Sequence, residues 1–369
     1  MQGGADDRRF MAAAIRLSRW NTGKTSTNPS VGCLVVKDGV IVGRGVTAVG
    51  GRPHAEPQAL AEAGEQARGA TAYVTLEPCS HHGKTPPCAE ALIAYGVARV
   101  VIAVTDPDTR VSGRGVEMLR AAGIVVDTGV MEAESRRALA AYLTRQTKKR
   151  PYVILKLAVS ADGRIGHLGS GQVAITGPTS RAQVHALRAE TDAILVGAGT
   201  AIADDPELTC RLSGLEQYSP IRIVFDRRLE LPVTGKLVRT ARQVPVIAVA
   251  GEPPSLDDDP DEAFQARRDA LVAAGVEVLQ CDPDRIDELL PALATRGISS
   301  LMVEGGARVA RAFLDAGLVD RILLYQGPGE IGADGIESPL SATDMPSGFL
   351  HTRTFLYGGD RCDEYEREF

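Results

Sequence analysis

The strongest constraint on this chain is a set of metal-ligand residues standing where elements of structure begin and end. His54-Ala55-Glu56 opens a helical pattern, Glu77-Pro78-Cys79 closes the β-rich run Thr71–Leu76, and Cys88 opens the next helical pattern. One imidazole and two thiolates form a three-ligand zinc set that leaves the fourth position to water. To use them, the fold must bring a strand end and two helix starts to one place. Loops at the edge of an α/β domain do this. A helix start also favours the thiolate of Cys88. Residues two apart do not share a helix face, so His54 and Glu56 belong to the first turn, where the chain still bends in.

Zinc so held would lower the pKa of its water towards neutrality and supply a hydroxide nucleophile. Such a nucleophile attacks an amidine-like ring carbon that carries an exocyclic amine. The amine must leave as ammonia, so protons have to be shuttled. Glu56, a carboxylate beside the ligands and not itself a ligand, suits that task. The known signature is H-x-E followed by P-C-x-x-C. Here the two cysteines are separated by Ser80–Pro87, a longer insert. A structural zinc clip stays open at this point, because His81 or His82 could supply a fourth ligand and close the site.

The order of elements around these residues is βαβα. Phe10–Arg19 reads as a helix. Val31–Val36 and Val40–Val46 flank Lys37-Asp38-Gly39, a strong hairpin signal. Pro57–Gln66 reads as a helix with Pro in its first turn. The strand Thr71–Leu76, the helix Cys88–Tyr95, the strand Arg99–Val104 and the alternation of Val116–Ala122 with Ile124–Val126 complete an α/β sandwich with parallel strands. Glu132–Arg145 reads as one long exit helix. Residues 1–146 form the first domain and 147–151 a charged linker ending in Pro151. Residues 152–369 form a second α/β domain with strands at Tyr152–Val159, Ala193–Val196, Ile221–Phe225, Val244–Val249, Leu301–Val303 and Arg321–Tyr325. Ala310–Ala316 reads as a helix and Glu252–Glu262 as a surface loop.

Composition narrows the class. Residues 1–150 carry a net charge of +6 and the remainder −12, so a protein that coats nucleic acid is disfavoured and the basic half suits a phosphorylated substrate. There is no long apolar run and no basic-then-apolar leader, so a soluble cytoplasmic enzyme without membrane contact is expected. Six cysteines in 369 residues are too sparse for a disulfide framework.

The stretch Asn28-Pro29-Ser30-Val31-Gly32, then His54-Ala55-Glu56, then Thr75 through Cys88 resembles the bifunctional deaminase–reductases of riboflavin biosynthesis. The insert between the cysteines sets that branch apart from cytidine and tRNA deaminases. The resemblance covers nearly the whole chain. It implies a cytidine-deaminase-like α/β/α sandwich followed by a dihydrofolate-reductase-like α/β domain, with one Zn2+ in the first and NADPH in the second. The substrate implied is a small phosphorylated pyrimidine, 2,5-diamino-6-ribosylamino-4(3H)-pyrimidinone 5′-phosphate. Its amine is removed first and its ribosyl chain is then reduced to ribityl. His54, Cys79 and Cys88 would hold zinc and Glu56 would move protons. Asn28, His81 and Lys84 would lie over the substrate. Two departures are Thr27, where the family often has Pro, and Asp108, where Asn is common. No nucleic acid and no membrane are expected as partners, and the enzyme is expected to be a homo-oligomer.

The second half has no Gly-x-Gly-x-x-Gly after a strand. It has small-residue turns after two strands, Gly197-Ala198-Gly199-Thr200 and Glu304-Gly305-Gly306. These are either ordinary tight connections or places where a phosphate meets backbone N–H groups. The runs Leu155–Arg164, Ile202–Thr209 and Val303–Gly306 resemble the family's reductase domain. By that resemblance Ala158, Ala174, Thr200, Asp204 and Gly306 would touch NADPH. Gln172, Arg188, Leu208, Arg211 and Glu304 would face the substrate, and Lys156 would polarise or protonate the reacting sugar. Ala174 departs from an aromatic often found there. Arg227 is a possible partner for a 2′-phosphate. Trp20 is expected in a core or interface, Cys33 in a packed strand, and His167, His185 and His351 lie outside any metal spacing. The alternatives are a tRNA or nucleoside deaminase fused to an unrelated domain, a zinc-stabilised binding module with Glu56 idle, and a deaminase whose reductase half is inactive.

Overall fold

The computed structural model describes residues 2–82, 86–108, 112–167, 171, 173–252 and 261–368. They fall into two compact units, 1–149 and 150–369.

In the first unit the helix α1 (Gln2–Ser18) leads to the hairpin β1 (Gly32–Lys37) and β2 (Val40–Val46), then α2 (Ala55–Ala63), β3 (Thr71–Leu76), α3 (Cys88–Ala94), β4 (Arg99–Val104), α4 (Arg114–Ala121) and β5 (Val125–Thr128). Asp38 and Gly39 both take positive φ, as a two-residue hairpin turn requires. The sheet order is β2-β1-β3-β4-β5. β3, β4 and β5 run parallel, while β1 is antiparallel to both its neighbours, so the sheet is mixed rather than all parallel. Helices cover both faces. A Cβ on Gly32 would meet the Ala14 carbonyl of α1, whereas a Cβ on Gly45 would lie 1.9 Å from the Ala55 carbonyl of α2. That second approach sets the depth at which the first turn of α2, and with it Glu56, is seated.

The expected exit helix is two helices, α5 (Glu132–Ala138) and α6 (Ala140–Lys148), broken at Leu139. Leu139 takes φ −101° and ψ 8° and turns its buried side chain into the core. The kink lets α5 stay on the sheet, where Ser135 donates to the Thr75 carbonyl at 2.8 Å. The helix expected over Pro57–Gln66 starts earlier, at Ala55, and ends in a 3-10 turn over Gly64–Ala67.

The second unit contains β6 (Tyr152–Val159), β7 (Arg164–His167), α7 (Pro178–Ala189), β8 (Ala193–Gly197), α8 (Ala198–Asp204), β9 (Ile221–Phe225), the short α9 (Lys236–Arg239), β10 (Val246–Ala250), α10 (Asp261–Ala274), β11 (Glu277–Gln280), α11 (Ile286–Thr295), β12 (Ser300–Glu304), α12 (Ala307–Asp315), β13 (Arg321–Gln326), β14 (Gly335–Glu337), β15 (Phe349–Tyr357) and β16 (Asp360–Arg367). Its main sheet has the order β11-β10-β9-β8-β12-β6-β13-β16-β15, and β7 pairs separately with β14. The run from β11 to β13 is parallel, and β16 and β15 are added antiparallel. Strands buried on both faces explain the near-continuous apolar runs at Val153–Leu155 and Leu301–Val303.

Of the expected loop Glu252–Glu262, residues 253–260 lie outside the described residues, and Asp261 and Glu262 already belong to α10. Strand β10 begins at Val246, two residues later than expected, and α12 begins at Ala307, three earlier. Trp20, expected in a core or interface, is 71% exposed.

Candidate metal centre and a second polar site

The first site lies at the C-terminal edge of β3. His54 is the residue before α2, with extended backbone, and Glu56 sits in that helix's first turn. Cys79 follows the end of β3, and Cys88 begins α3. The Cys79 carbonyl accepts the Ala89 N–H at 3.2 Å, which ties strand end to helix start. His54 Nδ1 lies 3.3 Å from Cys88 Sγ and 3.7 Å from Cys79 Sγ, and the three ligand atoms lie within 4.8 Å of one another. Tetrahedral zinc with typical Zn–S and Zn–N lengths separates such atoms by about 3.6 Å. The donor set and its spacing therefore fit zinc. Among the described residues this is the group of His, Cys, Asp or Glu side chains placed to hold a metal.

The two thiols compete for one negative charge. Contact with Cys88, helped by His54 and opposed by burial, lowers Cys79 to about 4. The same contact and burial push Cys88 far up. Glu56 is buried, and burial, with the Cys79 sulfur second, raises its carboxyl to about 7. Asn28 packs against Gly51, three residues before His54, where φ is +87° and a Cβ would stand 2.3 Å from Asn28 Nδ2. His81 Nδ1 is buried with no hydrogen-bond partner among the described residues. His82 pairs with Glu90 at 3.0 Å. Lys84 lies outside the described residues.

The second site gathers on neighbouring parallel strands. Lys156 of β6 is register partner to Glu304 of β12. Arg188 of α7 grips Glu304 with two hydrogen bonds of 3.0 Å, Nε to one carboxylate oxygen and Nη2 to the other, and its Nη1 donates to the Thr209 carbonyl at 3.1 Å. The guanidinium expected to face the substrate is therefore engaged by a buried carboxylate. Burial would raise Glu304, but Arg188 and Lys156 outweigh it and bring it to about 2. Burial lowers Lys156; Glu304 opposes that shift and Arg188 adds to it. The Lys156 ammonium stands 5.8 Å from the Tyr325 ring centre, within cation–π range.

Thr200, in α8, touches the turn that precedes α12. Gly305 and Gly306 both have positive φ, and a Cβ on either would come within 3.2 Å of the Thr200 side chain. Two glycines with no side chain, beside the Thr200 hydroxyl at a helix start, make a donor set of the kind that suits the pyrophosphate of a dinucleotide. Leu208 takes φ +56° in the loop whose Thr209 carbonyl Arg188 holds. In the same loop Arg211 pairs with Glu207 at 3.2 Å, and its N–H lies 3.3 Å from His185 Nδ1. Ala158 pairs with Tyr325 across β6 and β13, Asp204 ends α8, and Ala174 is exposed in the segment before α7. Arg227 is committed elsewhere, to Asp282 and Asp284 at 2.6 and 2.5 Å. Gln172 lies outside the described residues.

Sequence reasoning did not single out Glu77, Tyr142, Asp360 or His185 as contributors. Tyr142 donates to Asp106 at 3.0 and 3.1 Å, and Asp360 accepts from Gly177 and Ser180 at the start of α7. A buried acid that serves backbone amides carries no spacing motif. Only the helix-start position of Gly177-Pro178 marked a place where an acceptor was needed.

Two family models match successive parts of the chain. Residues 5–104 match the cytidine and deoxycytidylate deaminase zinc-binding region, and residues 151–355 match the RibD C-terminal domain. The chain is similar to the riboflavin biosynthesis protein RibD of Aquifex aeolicus, at 41% identity over 90% of this chain and 93% of that one. It is likewise similar to RibD of Escherichia coli, at 40% over 89% of each. Among solved structures, Acinetobacter baumannii RibD superposes with a TM-score of 0.86 at 35% identity, covering 99% of this chain and 100% of that one. A Thermotoga maritima diaminohydroxyphosphoribosylaminopyrimidine deaminase/5-amino-6-(5-phosphoribosylamino)uracil reductase gives 0.85 at 34%, with the same coverage.

Proposed function

The chain belongs to the RibD family and is a zinc-dependent deaminase and an NADPH-dependent reductase of riboflavin biosynthesis, and from that premise we propose how its residues divide the two reactions. The observation that carries the deaminase assignment is the convergence of His54, Cys79 and Cys88 beside the buried carboxylate of Glu56. We assign residues 1–149 to deamination of a diaminopyrimidinone ribotide, in keeping with the reaction named for the Thermotoga relative.

His54, Cys79 and Cys88 hold the metal. Zinc, when bound, supplies an activated water at the open position. Glu56 takes the proton that water gives up and delivers it to the substrate. The ring carbon gains an oxygen, its bond to the exocyclic nitrogen breaks, and ammonia leaves with protons passed through the same carboxylate. Asn28 and His81 line the rim over the ring, and Lys84, by family resemblance, meets the phosphate.

Residues 150–369 carry the reduction. The ribosylamine opens to an imine, C1′ accepts a hydride, and the imine nitrogen gains a proton. NADPH, when bound, supplies the hydride. Lys156 is the proton donor or polarising group; its ammonium makes no ion pair or hydrogen bond among the described residues and faces Glu304 and Tyr325. Glu304, gripped by Arg188, orients the sugar hydroxyls. Arg211, whose ion pair with Glu207 is exposed, is the arginine free to swing to the ribose phosphate. Thr200, Gly306, Asp204, Ala158 and Ala174 are assigned to the cofactor and Leu208 to the substrate, and Gln172, by family resemblance, to the substrate as well.

The test is a coupled assay on zinc-loaded protein given the ribotide, following ammonia release and then NADPH oxidation. Ammonia followed by NADPH loss is expected. Ammonia without NADPH loss would sink the reductase assignment, and no ammonia with zinc bound would sink the deaminase assignment.

A further inference from the structure

Glu77 stands between the end of β3 and the zinc ligand Cys79, and its carboxylate is buried, at 3% exposure. No ion pair to Glu77 is found among the described residues. It accepts four backbone N–H groups instead: Asp106 at 3.2 Å and Gly113 at 3.1 Å on Oε2, and Gly115 at 3.0 Å and Val116 at 3.4 Å on Oε1. Three of these donors, Gly113, Gly115 and Val116, are the open N–H groups at the start of α4, whose preceding residue Gly113 has no side chain to cap them. A carboxylate there also meets the positive end of the helix dipole. Backbone packing reinforces the contact. A Cβ on Gly115 would lie 2.2 Å from the Pro78 carbonyl, so α4 is pressed onto the residue before Cys79.

The functional consequence follows from connectivity. Pro78 is the single residue between Glu77 and Cys79. With the strand end fixed by the Glu77 N–H to the Val104 carbonyl, and the side chain fixed by four donors, Cys79 has little freedom left. Its sulfur is then held in place by the Cys88 N–H at 3.3 Å. We propose that Glu77 is a positioning residue of the deaminase, which fixes the Cys79 sulfur for zinc by anchoring the strand end to the start of α4. The proposal rests on the zinc assignment above, and its test does not depend on turnover. Residues that orient metal ligands from behind typically govern 10–100-fold in metal affinity.

The experiment loads the full-length protein with zinc and follows its release to a chromophoric chelator, with zinc content and circular dichroism measured on the same samples. Wild-type protein that holds no zinc would remove the underlying assignment and this proposal with it, whereas an effect confined to the variants tests this proposal alone. Glu77→Gln is nearly the same shape, but turns an amide nitrogen towards backbone donors. It is expected to release zinc roughly 10–100-fold faster while keeping native secondary structure. Gly115→Ala keeps the carboxyl group but sets a Cβ 2.2 Å from the Pro78 carbonyl and 3.2 Å from Glu77 Oε1, which forces the same anchor apart, and is expected to do the same. Zinc release at the wild-type rate in a folded Glu77→Gln overturns the proposal. If Glu77→Gln does not fold, wild-type retention in Gly115→Ala overturns it equally.

Discussion

Glu56 and Lys156 are the two side chains to which we assign proton transfer in the two reactions, and each can be replaced by a side chain of similar volume. Glu56 is buried in the first turn of α2 with both ligand sulfurs near it. Glu56→Gln keeps the volume and loses the proton carrier. Ammonia release should fall about 10²–10⁴-fold with zinc content unchanged. Zinc retained with activity retained would support a site that does not use Glu56. Lys156 is different in kind. Burial disfavours its charge, Glu304 favours it and Arg188 opposes it, with the net effect that its pKa is lowered. Lys156→Met should lower NADPH oxidation by about 10²-fold while ammonia release stays at the wild-type level. These two residues were legible in the sequence for unequal reasons. Glu56 is fixed by its place beside His54. Lys156 is one lysine in an apolar strand, and only the resemblance singled it out. Glu77, Arg188 paired to Glu304, and Asp360 at the start of α7 depend on which backbone or carboxylate the fold delivers to them, and sequence spacing holds no record of that.

At the scale of elements, the regular strands were readable because their burial is two-sided or alternating. Thr71–Leu76, Arg99–Val104, Tyr152–Val159 and Ile221–Phe225 end where their apolar runs end. The last hairpin, β15 and β16, was not read. Strand β16 buries Asp363 and Glu364, at 2% and 3% exposure, so its hydropathy does not look like a strand. Asp363 is satisfied by Arg361, Thr354 and His351, and Glu364 by Arg321. Gly358-Gly359 was the turn signal available there. In the first unit, α1 is pinned to β4 in a comparable way. Asp7 takes a bidentate grip from Arg99 at 2.8 Å and a hydrogen bond from Tyr73 at 2.8 Å. Arg99 chiefly, against burial, lowers the Asp7 carboxyl. A carboxyl lowered on folding stabilises the protein fully above its unfolded pKa of about 3.9, and that contribution is lost as pH falls through the folded value. Arg99 is partly exposed and also holds Asp127, so the pair is worth less than a fully buried one. Asp7→Asn should cost about 2 kcal/mol at neutral pH. In urea unfolding followed by circular dichroism, the difference from wild type should close as pH drops below about 4. A difference that is constant with pH would mean that packing, and not charge, is what Asp7 contributes.

For the whole molecule, the division of labour has a chemical consequence that does not depend on how the two units are arranged. The donors His54, Cys79 and Cys88 and the shuttle Glu56 all belong to residues 1–149, while Lys156, Arg188, Glu304, Thr200 and the turn Gly305-Gly306 all belong to residues 150–369. Each unit has its own sheet and its own buried apolar cluster. The residues assigned to reduction are held by one another, through the Arg188–Glu304 fork and the Asp360 contacts to α7, and among the described residues the metal-ligand group lies in the first unit. Stripping zinc should therefore silence one reaction alone. Chelator-treated protein given the diaminopyrimidinone ribotide is expected to release no ammonia, and returning zinc should restore it. The same stripped protein given the already deaminated aminouracil ribotide and NADPH should oxidise NADPH at the rate of untreated enzyme. Loss of that second activity on chelation, with the fold intact, would show that the reductase draws on the metal centre and would break the assignment of the two reactions to separate sets of residues. Failure of NADPH oxidation both before and after chelation would instead place the fault in the residues assigned to the second site.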